Sequence, residues 1–299
     1  MDLILTTNVL TKQYGRQRAV DSVSVEVRKG DIYGLIGRNG AGKTTFIRMA
    51  AGFAAPTSGS ITFFTGEKPT PPRIGTLIEA PGIYPNMTAY ENLKTKCLCL
   101  GIDKKGYIEE KLELVGLSAA GKKNASNFSL GMKQRLGIAL ALIGEPELLL
   151  LDEPINGLDP QGIVDVREIL VKLNREHNIT IVVSSHILEE LSKIATIYGF
   201  ISSGRLVEQL TKEQLQKNCG ERIEIVLEQP EAAVSALSEL GITNYKIIDE
   251  NTIHIFDRLD MTPEIVFALA ARKIRVHSIG VMNRSLESYF LEITGGAVV

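Results

Sequence analysis

Over the first 64 residues, apolar and polar positions alternate in short runs: Leu3 to Val9, Ala19 to Val27, Ile32 to Ile36 and Ser60 to Phe64. Turn residues separate the runs, a pattern that predicts β-strands. Thr44 to Ala51 interrupts them with a helical pattern that stops at Gly52. After the Pro-rich stretch Pro69-Thr-Pro-Pro72, a short strand is expected from Ile74 to Ile78, ending at Glu79 and the loop Ala80 to Pro85. From Thr88 to about Ile143 the period lengthens to that of a helix, with Thr88-x-x-Glu91 as a capping box and Tyr107 to Val115 as an amphipathic segment. A polar loop, Asn127 to Arg135, then leads into an apolar helix from Leu136 to Ile143, with Ser129 placed as a helix N-cap. This reads as a helical insertion over about 85–145.

Strands and helices alternate beyond it, as in a P-loop α/β domain. Leu148 to Leu151 and Ile179 to Val183 are uninterrupted apolar runs, the mark of strands buried on both faces of a parallel sheet. Ile197 to Ile201 and Arg205 to Glu208, joined at Ser203-Gly204, are the last strands expected of this domain, which spans 1–210. A capping box at Thr211 to Gln214 opens a linker helix over 211–220. From 221 to 299 the order is strand, helix, strand, strand, helix, strand and a final helix from Ser285. That βαββαβ order predicts a small α+β, ferredoxin-like domain.

Composition narrows the class. With 299 residues, 44% of them hydrophobic and 23% charged, the chain is globular and long enough for two cores. A net charge of −2 gives no bulk reason to expect nucleic acid or an anionic membrane surface as partner. Cys97, Cys99 and Cys219 make neither a disulfide framework nor a metal quartet. The N-terminal residues lack the basic and apolar regions of a signal peptide, and the longest apolar stretch, Leu136 to Leu151, is broken by Gly144 to Glu147. A soluble chain in a reducing compartment is expected.

The candidate chemistry sits at strand ends. Gly37-Arg38-Asn39-Gly40-Ala41-Gly42-Lys43-Thr44-Thr45 fits the phosphate-binding pattern G-x-x-x-x-G-K-[ST] between a strand and a helix. Its glycines let backbone N–H groups turn toward phosphate oxygens, and the helix N-terminus adds its positive end. Lys43 would reach the β- and γ-phosphates, and Thr44 would place its hydroxyl on Mg²⁺. Thr45 would touch another phosphate oxygen or start the helix. The strand Leu148 to Leu151 delivers Asp152 and Glu153 to the same edge, the first suited to hold Mg²⁺ and the second to deprotonate an attacking water. His186 follows the next buried strand to that edge. Ser129 is an ordinary N-cap that also has the chemistry of an anion site. Tyr14, in a loop between the first two strands, is open between core, surface and ligand roles.

Taken together, Tyr14 to His186 resemble the nucleotide-binding subunit of an ABC transporter, and the likeness covers about Leu3 to Glu208. The resemblance implies a P-loop NTPase cassette with an antiparallel β subdomain and a helical insertion. It implies adenine stacking on Tyr14, Glu153 as catalytic base, and His186 as the switch histidine at the γ-phosphate. It also makes Asn156 to Asp159 a D-loop that brings Asp159 to the nucleotide. Phe128-Ser-Leu-Gly-Met132 takes the place of the usual Leu-Ser-Gly-Gly-Gln signature and keeps Ser129 and Gly131. In the family this loop closes on nucleotide held by the opposite subunit, so a dimer is implied, most simply of identical chains. Glu79 stands where most relatives have the Q-loop glutamine. With Leu77 to Gly82, this is similar to the E-loop variant of lantibiotic-immunity and bacitracin-type exporters. There Glu79 would act on Mg²⁺ or the attacking water.

The resemblance thus implies an ATP- and Mg²⁺-dependent ATPase that powers a separate integral-membrane permease from the cytoplasmic face, exporting an antimicrobial peptide for self-protection. The alternatives are an ABC-2-type exporter ATPase for a drug, lipid or polysaccharide, a soluble ABC ATPase acting on ribosomes or DNA, and a nucleotide-binding regulator without turnover. A single cassette and the net charge disfavour the third of these four readings, and Glu153 with His186 disfavours the last.

Overall fold

The computed structural model describes residues 2–64, 71–283 and 286–295; Pro69 and Thr70 of the Pro-rich stretch, and Ser285 at the expected start of the last helix, lie outside them. The chain divides into two units, Met1–Lys212 and Glu213–Val299.

The first unit opens with β1 (Leu3–Tyr14), β2 (Gln17–Val23), β3 (Glu26–Arg28), β4 (Ile32–Ile36), α1 (Lys43–Ala50) and β5 (Ser58–Phe63). Strand β1 pairs antiparallel with β2, β3 and β5. Tyr14 is therefore the last residue of a strand, opposite Gln17, and does not sit in a loop. The polar run Thr11-Lys12-Gln13 hides this, because it continues β1 through bulged pairing with β2 rather than through apolar alternation.

Next come β6 (Ile74–Leu77), α2 (Ala89–Cys99), α3 (Tyr107–Leu114), α4 (Leu130–Leu142), β7 (Leu148–Asp152), α5 (Pro160–His177), β8 (Thr180–Ser185), α6 (Leu188–Ser192), β9 (Ile197–Ser202) and β10 (Arg205–Thr211). Helix α4 starts six residues earlier than the apolar pattern suggests. The Ser129 hydroxyl accepts from Met132 N at 3.2 Å and fixes that start although the polar run Lys133 to Arg135 interrupts the apolar pattern. Helix α2 opens on the expected capping box between Thr88 and Glu91.

The second sheet of this unit has the order β10-β9-β4-β8-β7-β6, parallel except for β10. Strands β4, β7 and β8 are buried along their whole length, as apolar runs without alternation require. One core joins Leu35, Leu150 and Val182 of this sheet to Phe46 and Ile47 of α1 and to Leu5 and Val27 of the antiparallel sheet. The parallel strands thus carry their C-terminal ends, and whatever polar residues follow, to one edge.

Helix α7 (Lys212–Asn218) starts on the last residue of the first unit, and the second unit goes on with β11 (Glu221–Leu227), α8 (Pro230–Glu239), β12 (Tyr245–Ile247), β13 (Thr252–Ile255), α9 (Thr262–Ala271), β14 (Val276–Asn283) and α10 (Leu286–Ile293). The order β12-β13-β11-β14, antiparallel throughout, is that of a ferredoxin-like sheet. Ile223, Ile225 and Leu227 alternate inward against Ala233 and Leu237 of α8 and Leu269 of α9. His254 pairs with Glu224 at 2.9 Å across neighbouring strands, a packing role for that histidine. Among the described residues, no helix is long and apolar enough to cross a membrane.

Candidate active site

The loop between β4 and α1 is shaped by contacts only glycine permits. A Cβ on Gly37 would lie 2.5 Å from the Ile201 carbonyl, and one on Gly42, at φ 109°, would lie 2.3 Å from the Ala19 carbonyl. The loop is fastened from outside as well. Gly204 N donates to Ala41 O at 2.9 Å, and Asp21 N donates to Gly204 O at 2.8 Å, so β2 and the β9–β10 turn grip it together. Asp21 completes the clamp through Arg205 Nη2 at 2.7 Å and Arg18 Nη1 at 3.1 Å. The hydrogen bond from Arg205 holds the Asp21 carboxyl below the usual carboxylate range.

Lys43 opens α1 and is 4% exposed. Its Nζ donates to Gly37 O at 2.6 Å and to Arg38 O at 3.2 Å, and forms an ion pair with Glu153 Oε1 at 3.0 Å. Beside it Thr44 Oγ1 donates to Asp152 Oδ2 at 2.7 Å. The other oxygen of Asp152 accepts from Ser184 Oγ at 2.6 Å, and the same hydroxyl accepts from Glu153 N at 3.0 Å. Asp152 and Ser184 face each other in the β7–β8 register, which is why adjacent parallel strands can lock both acids. Glu153 takes the uncommon φ of 49°, turning its side chain out of the strand path. His186 Nδ1 then lies 2.9 Å from Glu153 Oε2.

The structure therefore brings Gly37 to Thr45, Asp152, Glu153 and His186 to one edge, beside a cavity of about 530 Å³ lined by Asn39, Lys43, Thr44, Glu153, Arg18 and Gly204 among others. Tyr14 is half exposed, does not line that cavity, and has Lys12 Nζ 5.1 Å from its ring centroid. Glu79, at φ 61°, pairs with Arg48 Nη2 at 2.5 Å. Asp159 caps α5 by accepting from Gly162 N at 3.1 Å. Gly131 sits in the first turn of α4, where a Cβ would meet nothing closer than Gly162 Cα at 3.9 Å. Among the described residues, no backbone or packing demand explains a glycine there.

Four participants escaped the sequence reading. Ser184 carried a signal, a hydroxyl ending an apolar strand beside the acids. Arg48 carried one too, four residues beyond Thr44 on the same helix face. The Gln17 to Ala19 segment and the Ser203-Gly204 turn reach the loop only through tertiary contact, and nothing local marks them.

Thr44 and Asp152 offer hard oxygen donors, and no cluster of three or more His, Cys, Asp or Glu side chains that could hold a metal occurs among the described residues. That set fits Mg²⁺, which commonly takes one or two protein oxygens and completes its shell with phosphate and water.

Residues 20–156 match the ABC transporter family. The chain is 43% identical over 305 residues to the bacitracin transport ATP-binding protein BcrA of Bacillus licheniformis, covering 100% of both chains. It is 44% identical over 200 residues to the lantibiotic transport ATP-binding protein SrtF of Streptococcus pyogenes, covering 66% of this chain and 86% of that one. Among solved structures, the ADP conformation of an ATP-binding cassette of an ABC transporter superposes with a TM-score of 0.64 at 26% identity, over 72% of this chain and 93% of that one.

Proposed function

The chain belongs to the ABC transporter family of ATP-binding proteins, and on that premise we propose that it is the ATP-hydrolysing subunit of an exporter that removes a bacitracin- or lantibiotic-like peptide. The observation that carries this reading is the match to a bacitracin transport ATP-binding protein along the whole of both chains, second unit included. The subunit works with a separate integral-membrane permease and pairs with a second nucleotide-binding subunit, most simply a copy of itself. It acts at the cytoplasmic face of the membrane through that permease.

The geometry supports the chemistry. A triphosphate seated in the Gly37 to Thr45 loop meets N–H groups at the head of α1 and offers Lys43 a stronger anionic partner than Glu153. Glu153, released from Lys43, is free to take a proton from a water aimed at the γ-phosphate, and His186 orients it through the Oε2 contact. Thr44 and Asp152 would hold Mg²⁺, which neutralises charge on the phosphates when bound. Glu79 serves the same nucleotide site from the loop after β6. Ser129 and Gly131 close over nucleotide held by the other subunit, the open Cβ environment of Gly131 leaving room for a phosphate against the start of α4.

The test is coexpression with a candidate multi-span permease in a peptide-sensitive host. Copurification, ATP turnover and raised resistance to bacitracin or a lantibiotic are expected. Turnover and copurification without any change in peptide resistance would transfer the subunit to export of another compound.

A further inference from the structure

Arg48 is the last-turn cation of α1, and Glu79 closes on it at 2.5 Å from the loop after β6. Thr44 and Arg48 are four residues apart and share a helix face, so Glu79 is tethered to the face of α1 that carries the hydroxyl bound to Asp152. Two features make this a station rather than a fixed strut. Glu79 adopts φ 61°, a backbone setting that a non-glycine residue holds at a cost and can leave. The pair is also open to water, with side chains 40% and 61% exposed, so it is readily exchanged.

We propose that Arg48 is a positioning residue that parks the Glu79 carboxylate away from the triphosphate until the loop after β6 is moved. An untethered carboxylate beside that face of α1 would leave an unbalanced negative charge near a triphosphate bound at Thr44, and like charges repel. Paired with Arg48, it is neutralised and held back, which lets the loop carry an acid without weakening ATP binding. Movement of the loop exchanges Arg48 for the nucleotide site and switches Glu79 into action. This rests on the reading that Glu79 serves that site.

The experiment measures the binding of a fluorescent ATP analogue in EDTA, so that no metal and no turnover enter, for Arg48→Gln in the wild-type and Glu79→Gln backgrounds. Removing the Arg48 charge alone weakens binding equally in both. Release of Glu79 adds a further loss of roughly two- to five-fold only where Glu79 is present, the span that an exposed ion pair supports. Arg48→Lys, which keeps the cation, is expected to restore most of that extra loss, a rescue that a merely packing role would not give. Equal losses in the two backgrounds would overturn the tether. Should Glu79→Gln alone leave permease-coupled ATPase and resistance at wild-type levels, the assignment of Glu79 to the site fails instead, and the tether loses its purpose with it. Thermal melting of each variant confirms that binding is compared between folded proteins.

Discussion

His186 Nδ1 stands 2.9 Å from Glu153 Oε2, while the other oxygen of that carboxylate is paired with Lys43. One acid is thus oriented by a ring from the end of β8 and restrained by the cation that is meant for phosphate. On the proposed function, ATP binding would separate the two influences by drawing Lys43 to phosphate. Glu153→Gln keeps the shape and removes the base, so hydrolysis should fall by about 10²- to 10⁴-fold with ATP binding retained. Phosphate release and ATP-dependent dimerisation by size exclusion check this together; undiminished turnover would exclude Glu153 as the base.

That cluster was largely legible before any fold was known, and the reason is physical. Walls such as Leu148 to Leu151 must be apolar on both faces, so Asp152 and Glu153 directly after them stand out as cargo. The same logic reaches His186 after β8, while Ser184, the hydroxyl beside it, carries a signal that the reading leaves unused. What could not be read is what long-range packing decides. The clamp of Asp21, Gly204 and Ala41 joins segments more than 150 residues apart through backbone atoms, which carry no side-chain signature. The pattern places Tyr14 in a loop because bulged pairing does not alternate, and it starts α4 late because Lys133 to Arg135 interrupt the apolar run.

The closeness of Gly37 to β9 gives a stability prediction. A methyl group there meets Ile201 O at 2.5 Å and Ile201 Cγ2 at 2.8 Å, both in the core edge of the sheet. Gly37→Ala should cost about 1–3 kcal/mol by overpacking. A denaturant midpoint shift at unchanged slope, together with weakened ATP binding, is the expected pair of results. An unshifted midpoint would show that the loop yields where the geometry says it cannot.

Asp21 makes the clamp pH-dependent in a definite direction. Its folded carboxyl titrates below the ordinary aspartate range, chiefly through the Arg205 hydrogen bond. A depressed acid stabilises the fold above its unfolded value, and that contribution disappears as pH falls through the folded value. Asp21→Asn should therefore melt below wild type at neutral pH, and the gap should close in the acid range, below about pH 4. Melting curves of both proteins across that range decide it; a gap that persists at the acid end would assign the loss to packing rather than to the charge.

Gly131 offers a substitution that separates assembly from folding. Within the chain its added Cβ meets only Gly162 Cα at 3.9 Å and Leu158 Cδ2 at 4.0 Å, ordinary contacts. Gly131→Ala should leave the unfolding free energy within about 0.5 kcal/mol of wild type, since no close contact is made by the added methyl group. If α4 presents this turn to nucleotide on the opposite subunit, ATP-driven dimerisation and turnover should both fall. A variant that dimerises and hydrolyses ATP normally would remove Gly131 from the shared site.

Glu79→Gln tests what an acid does where an amide would also fit. Glu79 is bound to Arg48, so its charge is already balanced, and ATP affinity in the variant should stay within about two-fold of wild type. The amide cannot hold Arg48 by charge and cannot take a proton, so the loop after β6 loses both of its stations. Coupling to the permease should suffer more than binding: permease-stimulated ATPase and peptide resistance fall while the ATP Kd is nearly unchanged. Measuring all three in one reconstituted preparation separates the outcomes. A large change in Kd with intact resistance would make Glu79 a binding determinant, and equal values throughout would leave the carboxylate without a mechanistic role.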